Sequence, residues 1–448
     1  MAKRGVIKGA IILSAAGIIC RLLGVLFRIP LSNIVGNYGI GLYQLVFPLY
    51  SLLLIISSAG IPVALSKMIA RVCEQQQQAK RIFVNALLAL LIIGTIITVL
   101  FFALARPIAA WQGKTEIWPL YMAIAPAISF VCVISAYRGY FQGLNNMIPT
   151  AISQIVEQSI KVVAGLGLSF WLIRYGILWS VFGAILAVAI SELTATILLV
   201  VVYHVHTRRV EQISVKVSCE RLLSWNIVQQ IFRIAAPIMV MSLAFPVVQL
   251  FDSFYIVNAL NHNGVGQATE LYGIATGAVH TLINLPSVVG VALATVMLPA
   301  VSRSFKQGNL KMMHRRVWLA LGFMTLFGFG IVVGLNLLPR WILNLLYHRA
   351  FANHPDELST AVLLLRIESW AVILIGLTQI IGSILQGMDY EKVPMWALIV
   401  GGAVKIVFEI IALKQLGIMA VSIANLLCFS VATMVSGSVL IKLMLQRK

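Results

Sequence analysis

Long apolar runs constrain the fold of this chain more than any other feature of its sequence. Of the 448 residues, 60% are hydrophobic and only 10% are charged, which excludes an ordinary soluble domain. Runs of about 20 residues are long enough to cross a bilayer as helices. Twelve such runs follow one another, at roughly 6–28, 41–66, 82–105, 118–140, 150–172, 177–203, 228–257, 271–300, 317–338, 360–386, 394–413 and 417–441. The sequence therefore predicts an all-α polytopic membrane protein with twelve transmembrane helices.

The basic residues predict the orientation of the chain. With the N-terminus inside, 20 of the 33 Lys and Arg residues fall in cytoplasmic segments, six fall outside, and seven lie within or at the edges of helices. Short cytoplasmic loops carry an excess of Lys and Arg, so both termini are expected to be cytoplasmic. Because this rule also explains the net charge of +19, we expect no nucleic-acid partner.

Two sets of motifs recur in the second half of the chain at nearly constant offsets. The first set is Pro48, Pro62 and Ser66, which recur 238, 237 and 236 residues later as Pro286, Pro299 and Ser302. The second set is Gln142-Gly143, Pro149 and Lys161, which recur 244, 245 and 244 residues later as Gln386-Gly387, Pro394 and Lys405. Each half has six helices and begins inside, which predicts a parallel repeat. We predict an N-terminal lobe at 1–205, a cytoplasmic linker at 206–226 and a C-terminal lobe at 227–448, arranged around a central cavity as in an alternating-access carrier.

Prolines are expected to bend two of the segments. Proline removes a backbone hydrogen bond, and membranes tolerate this where neighbouring helices or cavity water satisfy the freed carbonyl group. Pro48 and Pro62 lie in the second segment, and Pro286 and Pro299 lie in the eighth. The bends either shape the bundle or provide hinges.

The first apolar segment carries a stripe of small and cationic residues. On a helix, Ser14, Gly17, Arg21, Gly24 and Arg28 recur at steps of three and four and share one face. An arginine at the centre of a membrane helix costs about 2.5–3.5 kcal/mol on insertion scales. Either both arginines pair with carboxylates and lock helices together, or they face a cavity that receives an anion, which is the interpretation that we favour.

Two more cations lie on apolar segments, Arg138 on the fourth and Lys161 on the fifth. If Arg21, Arg28, Arg138 and Lys161 converge on the cavity, the expected ligand is a phosphate or diphosphate. Guanidinium groups bind such groups bidentately and keep their charge at any physiological pH. These four residues are the candidate diphosphate-binding site.

Acidic residues and a further lysine are candidates for the cavity wall or for ion coupling. Glu157 and Lys161 on segment five, and Lys405 and Glu409 on segment eleven, are i,i+4 pairs that could form intrahelical salt bridges. Asp252 lies on segment seven. Glu157, Asp252 or Glu409 could bind a coupling proton or sodium ion, or the membrane potential alone could drive transport.

Other charged residues invite simpler interpretations. Arg366 and Glu368 lie near the outer end of segment ten and are expected to be interfacial. Glu192 could be a lone protonated carboxyl group that a neighbouring helix satisfies. The sequence contains no HExxH, GxSxG or phosphate loop, its histidines are dispersed, and its five cysteines have no paired spacing. We expect no enzyme, no catalytic residue, no bound metal and no cofactor beyond a possible coupling Na⁺ or H⁺.

Several motifs resemble a known family of membrane proteins. They are CRLLGVLFRIPL, GxGLYQLVFPLY, SSAGIPVALSK, YRGYFQGLNNMIPTAISQIVEQ and VGVALATVMLPAVSRSFKQGN. With these motifs the chain resembles, over nearly its whole length, the stage V sporulation protein B family. That family is close to the MurJ lipid II flippases, within the multidrug/oligosaccharidyl-lipid/polysaccharide exporter (MOP) superfamily.

The resemblance implies a fold, a function and some site residues. It implies two six-helix lobes of the MATE type that move polyprenyl-diphosphate-linked sugars across the bacterial cytoplasmic membrane for cell-wall or spore-cortex peptidoglycan synthesis. Arg21 matches the first-helix arginine of the family's Arg-x-Leu-Gly pattern, and Arg28 matches the next arginine approximately. Members commonly have fourteen helices, so this chain is expected to be a short member.

The chain departs from the MurJ pattern at three places. The acidic residue that MurJ proteins carry early in the second helix is replaced around Leu42-Tyr43. The arginines that MurJ proteins carry in the second and eighth helices are replaced around 52–54 and at His280-Thr281, and Arg138 and Lys161 could supply the missing charge.

Two alternatives to a glycolipid flippase stay open. One is a cation-coupled multidrug exporter, and the other is a non-transporting membrane scaffold of sporulation or wall assembly.

Overall fold

The computed structural model describes residues 2–58, 60–72, 75–211, 224–352 and 354–446. Within these ranges the chain forms helices joined by short turns, with no β-strand, which confirms the all-α class. Short 3₁₀-helices lie at Thr115–Ile117 and Ile173–Tyr175, and a π-helix lies at Ile274–Val279. The α-helices are α1 (Ala2–Ser58), α2 (Ile61–Ala70), α3 (Gln76–Trp111), α4 (Trp118–Gly143), α5 (Ile148–Leu172), α6 (Ile177–Glu211), α7 (Trp225–His262), α8 (Ala268–Gly273), α9 (His280–Asn284), α10 (Ser287–Lys306), α11 (Leu310–Leu337), α12 (Pro339–Phe351), α13 (Pro355–Glu368), α14 (Ala371–Gly387), α15 (Lys392–Leu416) and α16 (Met419–Leu445).

Length and composition identify the helices that can cross a membrane. In the described ranges there are nine, or up to eleven if each of two bent helix pairs counts as one span. The first is a 60-residue stretch, Ile11–Ala70, which contains most of the first predicted segment and all of the second. The bent pairs, Trp225–Val240 with Phe245–His262 and Pro355–Glu368 with Ala371–Gly387, coincide with the seventh and tenth predicted segments. The chain is therefore a multi-pass membrane protein.

A glycine interrupts α1 between the first two predicted segments. Gly36 has φ 68° and ψ −178°, whereas the backbone on both sides of it is helical. This backbone region is open to glycine and essentially closed to residues with a Cβ atom. Gly36 thus allows the chain to change direction inside one long helical stretch.

Prolines mark helix starts as well as positions inside helices. α7 bends by 62° at its middle, close to Pro246, which lacks the N–H group of a regular helical turn. Pro62 lies in the first turn of α2, and Pro286 directly precedes α10. Pro48 and Pro299 lie inside α1 and α10. In segments two and eight, therefore, one proline of each pair begins a new helix.

The chain forms two compact units. Unit 1 contains Met1–Phe27 and Val46–Pro246, and unit 2 contains Arg28–Leu45 and Val247–Lys448. The central part of α1 thus belongs to unit 2, and the first half of α7 belongs to unit 1. The lobes and linker expected from the sequence have other bounds and stay predictions, and residues 212–223 of that linker lie outside the described residues.

Each unit has one central helix with an equivalent set of neighbours. In unit 1, α4 packs against α2, α3 and α6, and α5 packs against α6. In unit 2, α14 packs against α10, α11 and α16, and α15 packs against α16. Because these helices follow one another in the same order, the repeat of sequence motifs is also a repeat of helix packing.

The recurring motifs contact each other inside each unit. A Cβ atom built on Gly143, at the end of α4, would lie 3.1 Å from the carbonyl oxygen of Ser66. A Cβ atom built on Gly387, at the end of α14, would lie 2.9 Å from the carbonyl oxygen of Leu298 and 3.3 Å from the backbone nitrogen of Ser302. Glycine is needed at both positions because each helix end lies directly against the backbone of a neighbouring helix.

Candidate functional site

The stripe on α1 leaves Arg21 without an ionic partner. Arg21 is exposed, and no carboxylate of the described residues pairs with its guanidinium group. On the same face, a Cβ atom built on Gly17 or Gly24 would meet no described atom within 4 Å. No described helix therefore packs closely on this part of the stripe, and an ion pair that locks Arg21 to another helix is not supported.

Arg138 and Glu157 form an ion pair within unit 1. Nη2 of Arg138, on α4, lies 2.8 Å from Oε2 of Glu157, on α5. Nε of Arg138 donates a hydrogen bond to Oγ of Ser153 at 3.0 Å, and both charged side chains are mostly buried. Glu157 therefore has a cationic partner on another helix, and much of the charge of Arg138 is neutralised.

Lys161 contacts aromatic rings. Its Nζ atom lies 4.9 Å from the ring centre of Phe47 and 5.7 Å from that of Phe27, both from α1. A cation within about 6 Å of a ring centre is attracted by the negative face of the ring. These contacts stabilise a charged lysine in an apolar part of the unit.

Glu192 is a buried carboxylate beside this group. It lies on α6 and accepts a hydrogen bond from the hydroxyl group of Tyr50 at 3.2 Å, so a neighbouring helix satisfies it as the sequence suggested. Three of the predicted site residues, Arg138, Glu157 and Lys161, thus lie in unit 1, which also holds the buried carboxyl group of Glu192.

Arg28 belongs to unit 2, whereas Arg21 belongs to unit 1. The half-buried side chain of Arg28 lines a small cavity together with residues of α9 and α12. No carboxylate of the described residues forms an ion pair with it. The binding of one diphosphate by both Arg21 and Arg28 stays a prediction.

Asp252, Lys405 and Glu409 form a buried charged group in unit 2. Nζ of Lys405, on α15, donates a hydrogen bond to Oδ2 of Asp252, on α7, and lies 3.7 Å from Oε1 of Glu409, so the i,i+4 pair of segment eleven is present. Each residue is at most 5% exposed. Oδ1 of Asp252 and both carboxylate oxygens of Glu409 accept no hydrogen bond from the described residues. Two carboxylates thus face one ammonium group, and one negative charge lacks a counterion when all three are ionised.

The expectation that Glu368 is interfacial with Arg366 is wrong. Glu368 is 1% exposed. It accepts hydrogen bonds from Oγ of Ser422 and Nδ2 of Asn425, both at 3.1 Å, and lies 3.5 Å from Nδ1 of His280. A buried carboxylate needs such donors, and the signal for them was two polar residues at i,i+3 on the apolar twelfth segment.

A family model described as polysaccharide biosynthesis protein matches residues 6–305, more than half of the chain. A second model, MatE, matches residues 237–411. Together these matches extend over both compact units.

Similar proteins are known in Bacillus subtilis (strain 168). Stage V sporulation protein B is 28% identical over 441 residues, which cover 95% of this chain and 81% of that protein. Lipid II flippase MurJ is 25% identical over 456 residues, which cover 97% of this chain and 82% of that protein. The resemblance inferred from the sequence motifs is thereby confirmed, and these relatives are consistent with a chain that is not an enzyme.

Solved structures show the same fold. An inward-facing multidrug resistance MATE family transporter of the MOP superfamily has a TM-score of 0.74 at 15% identity, covering 95% of this chain and 96% of that chain. A MOP superfamily transporter from Pyrococcus furiosus has a TM-score of 0.65 at 16% identity, covering 96% and 95%. The predicted MATE-like fold is confirmed. The chain belongs to the polysaccharide biosynthesis protein family.

Proposed function

We propose that this protein is a flippase for an undecaprenyl-diphosphate-linked sugar, either the peptidoglycan precursor lipid II or a related glycan lipid. It acts in the bacterial cytoplasmic membrane, with both termini in the cytoplasm, during cell-wall or spore-cortex synthesis. The observation that carries the proposal is Arg21, a cation on an apolar helix with no ionic partner among the described residues. Similarity to stage V sporulation protein B and MurJ supports the substrate class.

The electrostatics favour Arg21 and Arg28 as the main diphosphate contacts. An unpaired guanidinium group inside a membrane is costly unless water or an anion meets it. A diphosphate supplies that anion and accepts bidentate hydrogen bonds. Arg138 is already held by Glu157, and Lys161 faces aromatic rings. We therefore give Arg138 and Lys161 a supporting role, as charges near the path of the substrate.

The group of Asp252, Lys405 and Glu409 is the candidate for ion coupling. A single proton bound by one of its carboxylates would remove the uncompensated negative charge, and buried charges without partners are unfavourable. Glu157 is the second candidate, because proton binding there would release Arg138. The membrane potential, about 2.3 kcal/mol per charge per 100 mV, is the alternative driving force for an anionic substrate.

Complementation of a bacterial strain that lacks its lipid II flippases tests the proposal. Arg21→Ala should abolish growth rescue while the protein level in the membrane stays normal, because no described residue depends on Arg21 as a partner. Arg340→Ala, which changes an exposed arginine at the start of α12, is the matched control and should rescue growth. Full rescue by Arg21→Ala would overturn the assigned role.

The fold alone also suits a cation-coupled multidrug exporter, since a multidrug resistance transporter shares it. A cavity for organic cations should be acidic or aromatic, whereas the residues proposed here are mostly basic. Loss of drug resistance on deletion of the gene would favour that function, and an unchanged resistance profile would remove it. A non-transporting scaffold predicts instead that Arg21→Ala keeps full activity.

A further inference from the structure

The cavity beside Arg28 is formed by side chains from three helices of unit 2. Arg28 and Ser32 reach it from α1, Thr281 from α9 and Tyr347 from α12. Its volume of about 10 Å³ is close to the smallest space that takes one water-sized group. Among the described residues that line it, Arg28 alone is charged and none is acidic. The cavity therefore suits one small group that carries negative charge.

Three hydroxyl groups in this cavity have no hydrogen-bond partner among the described residues. They are Oγ of Ser32, Oγ1 of Thr281 and the phenol OH of Tyr347. Each of these residues is at most 3% exposed. The hydroxyl groups of Thr281 and Tyr347 approach each other, but without the geometry of a hydrogen bond. Buried polar groups are rarely left unpaired, so three that converge on one cavity point to a ligand.

The local structure fixes these groups in place. α12 departs from helical geometry at Tyr347, with φ −123° and ψ 32°. Asn33, next to Ser32, forms a hydrogen bond with the backbone on each side of this break. Its Nδ2 atom donates to the carbonyl oxygen of Leu346 at 2.7 Å, and its Oδ1 atom accepts from the backbone nitrogen of Arg349 at 3.1 Å. The positions of the Ser32 and Tyr347 hydroxyl groups are thus coupled before any ligand binds.

The size of the cavity limits what it can take. It admits one oxygen atom rather than a whole phosphate group. A guanidinium group only donates hydrogen bonds, and each hydroxyl group can donate one. The half-buried Arg28 lies where it can also contact an atom outside the cavity. This arrangement matches a phosphate group that points one oxygen inward while its phosphorus atom stays beside the guanidinium group.

We propose that Ser32, Thr281 and Tyr347 form an oxyanion pocket for one phosphoryl oxygen of the diphosphate, while Arg28 pairs with the same phosphate group. This inference rests on the proposed function and specifies which residues of unit 2 bind the phosphate group. Three neutral donors orient the phosphate group without adding a further buried positive charge, which the membrane would disfavour.

Binding of undecaprenyl diphosphate and of inorganic pyrophosphate to the purified full-length protein in lipid nanodiscs tests the pocket. Tyr347→Phe and Thr281→Val each remove one donor and keep the shape of the side chain. Each should weaken binding of the lipid about tenfold, as expected for a lost hydrogen bond to a charged group. Tyr121→Phe is the matched control, because Tyr121 is a buried tyrosine of unit 1 that donates to Gln112, and it should bind as the wild type does.

Thermal unfolding without ligand separates the pocket from a structural role. Tyr347→Phe should not lower the unfolding midpoint, because its hydroxyl group has no partner to lose, whereas Tyr121→Phe should lower it. A lowered midpoint for Tyr347→Phe together with unchanged binding would assign the hydroxyl group to a structural water and overturn the pocket.

The two ligands distinguish the source of the phosphate. Weakened binding of the lipid, with or without weakened binding of pyrophosphate, supports the pocket. An effect on pyrophosphate alone makes the cavity an inorganic phosphate site and overturns its role with the lipid. If Tyr347→Phe binds the lipid normally while Arg21→Ala does not, the pocket fails and the flippase proposal stands. If the wild type binds no diphosphate lipid at all, the proposed function fails as well.

Discussion

Replacement of Lys405 should show how strongly the buried charged group of unit 2 is coupled. Lys405→Met keeps most of the side-chain volume but removes the cation that faces Asp252 and Glu409. All three residues are at most 5% exposed, so water cannot replace the lost partner. Loss of one member of a buried ion pair typically costs about 3–5 kcal/mol, because the remaining charge is left unpaired. Since two carboxylates are left here, we expect a loss of at least about 3–5 kcal/mol.

Matched variants make this prediction specific. The triple variant Asp252→Asn, Lys405→Met, Glu409→Gln leaves no buried charge and should regain most of the lost stability, since replacing a whole buried ion group is often neutral. Lys414→Met, at an exposed position on the same helix, should change stability by no more than about 0.5 kcal/mol. Denaturant unfolding of the purified variants, followed by tryptophan fluorescence, measures all three. A loss below about 1 kcal/mol for Lys405→Met, or a triple variant as unstable as the single one, would mean that the three buried charges are not coupled.

Two further perturbations test contacts within each unit. Gly143→Ala and Gly387→Ala would place Cβ atoms 2.7 and 2.9 Å from their nearest neighbours and should each lower stability by about 1–3 kcal/mol. Gly330→Ala, with no described atom within 4 Å, should not lower stability, and similar unfolding midpoints for all three variants would contradict the packing. For the 2.8 Å ion pair, Arg138→Met and Glu157→Gln should be non-additive in a double-mutant cycle by about 1–3 kcal/mol, and additive losses would mean that the pair is not coupled.

Most of the fold could be predicted from the sequence because the membrane acts on each segment locally. A helix must satisfy its own backbone groups in lipid, so an apolar run of sufficient length indicates a helix without knowledge of its neighbours. The repeat was visible for a related reason. Close contacts at Gly143 and Gly387 require glycine at equivalent positions, and such positions recur at a constant spacing.

The features that escaped prediction depend on contacts between distant segments. The assignment of Arg28–Leu45 to unit 2 depends on its packing against helices that follow 232 to 313 residues later. The Lys405–Glu409 pair is visible as an i,i+4 spacing, whereas the bond between Arg138 and Glu157 depends on how two helices are rotated toward each other. Uncharged groups such as the hydroxyl of Tyr347 gave no signal, since one tyrosine among twelve is not distinctive in sequence.

The most direct test of the flippase account is the binding of lipid II and of undecaprenyl diphosphate to the purified protein in lipid nanodiscs, compared between the wild type and Arg21→Ala. We expect the wild type to bind both lipids, because both carry the diphosphate that Arg21 is proposed to contact. Arg21→Ala should bind both at least about tenfold more weakly, since a hydrogen bond to a charged group contributes about 1.5–3 kcal/mol. Equal binding by the two proteins would mean that Arg21 does not contact the diphosphate, and no binding by folded wild-type protein would contradict a flippase for diphosphate-linked lipids.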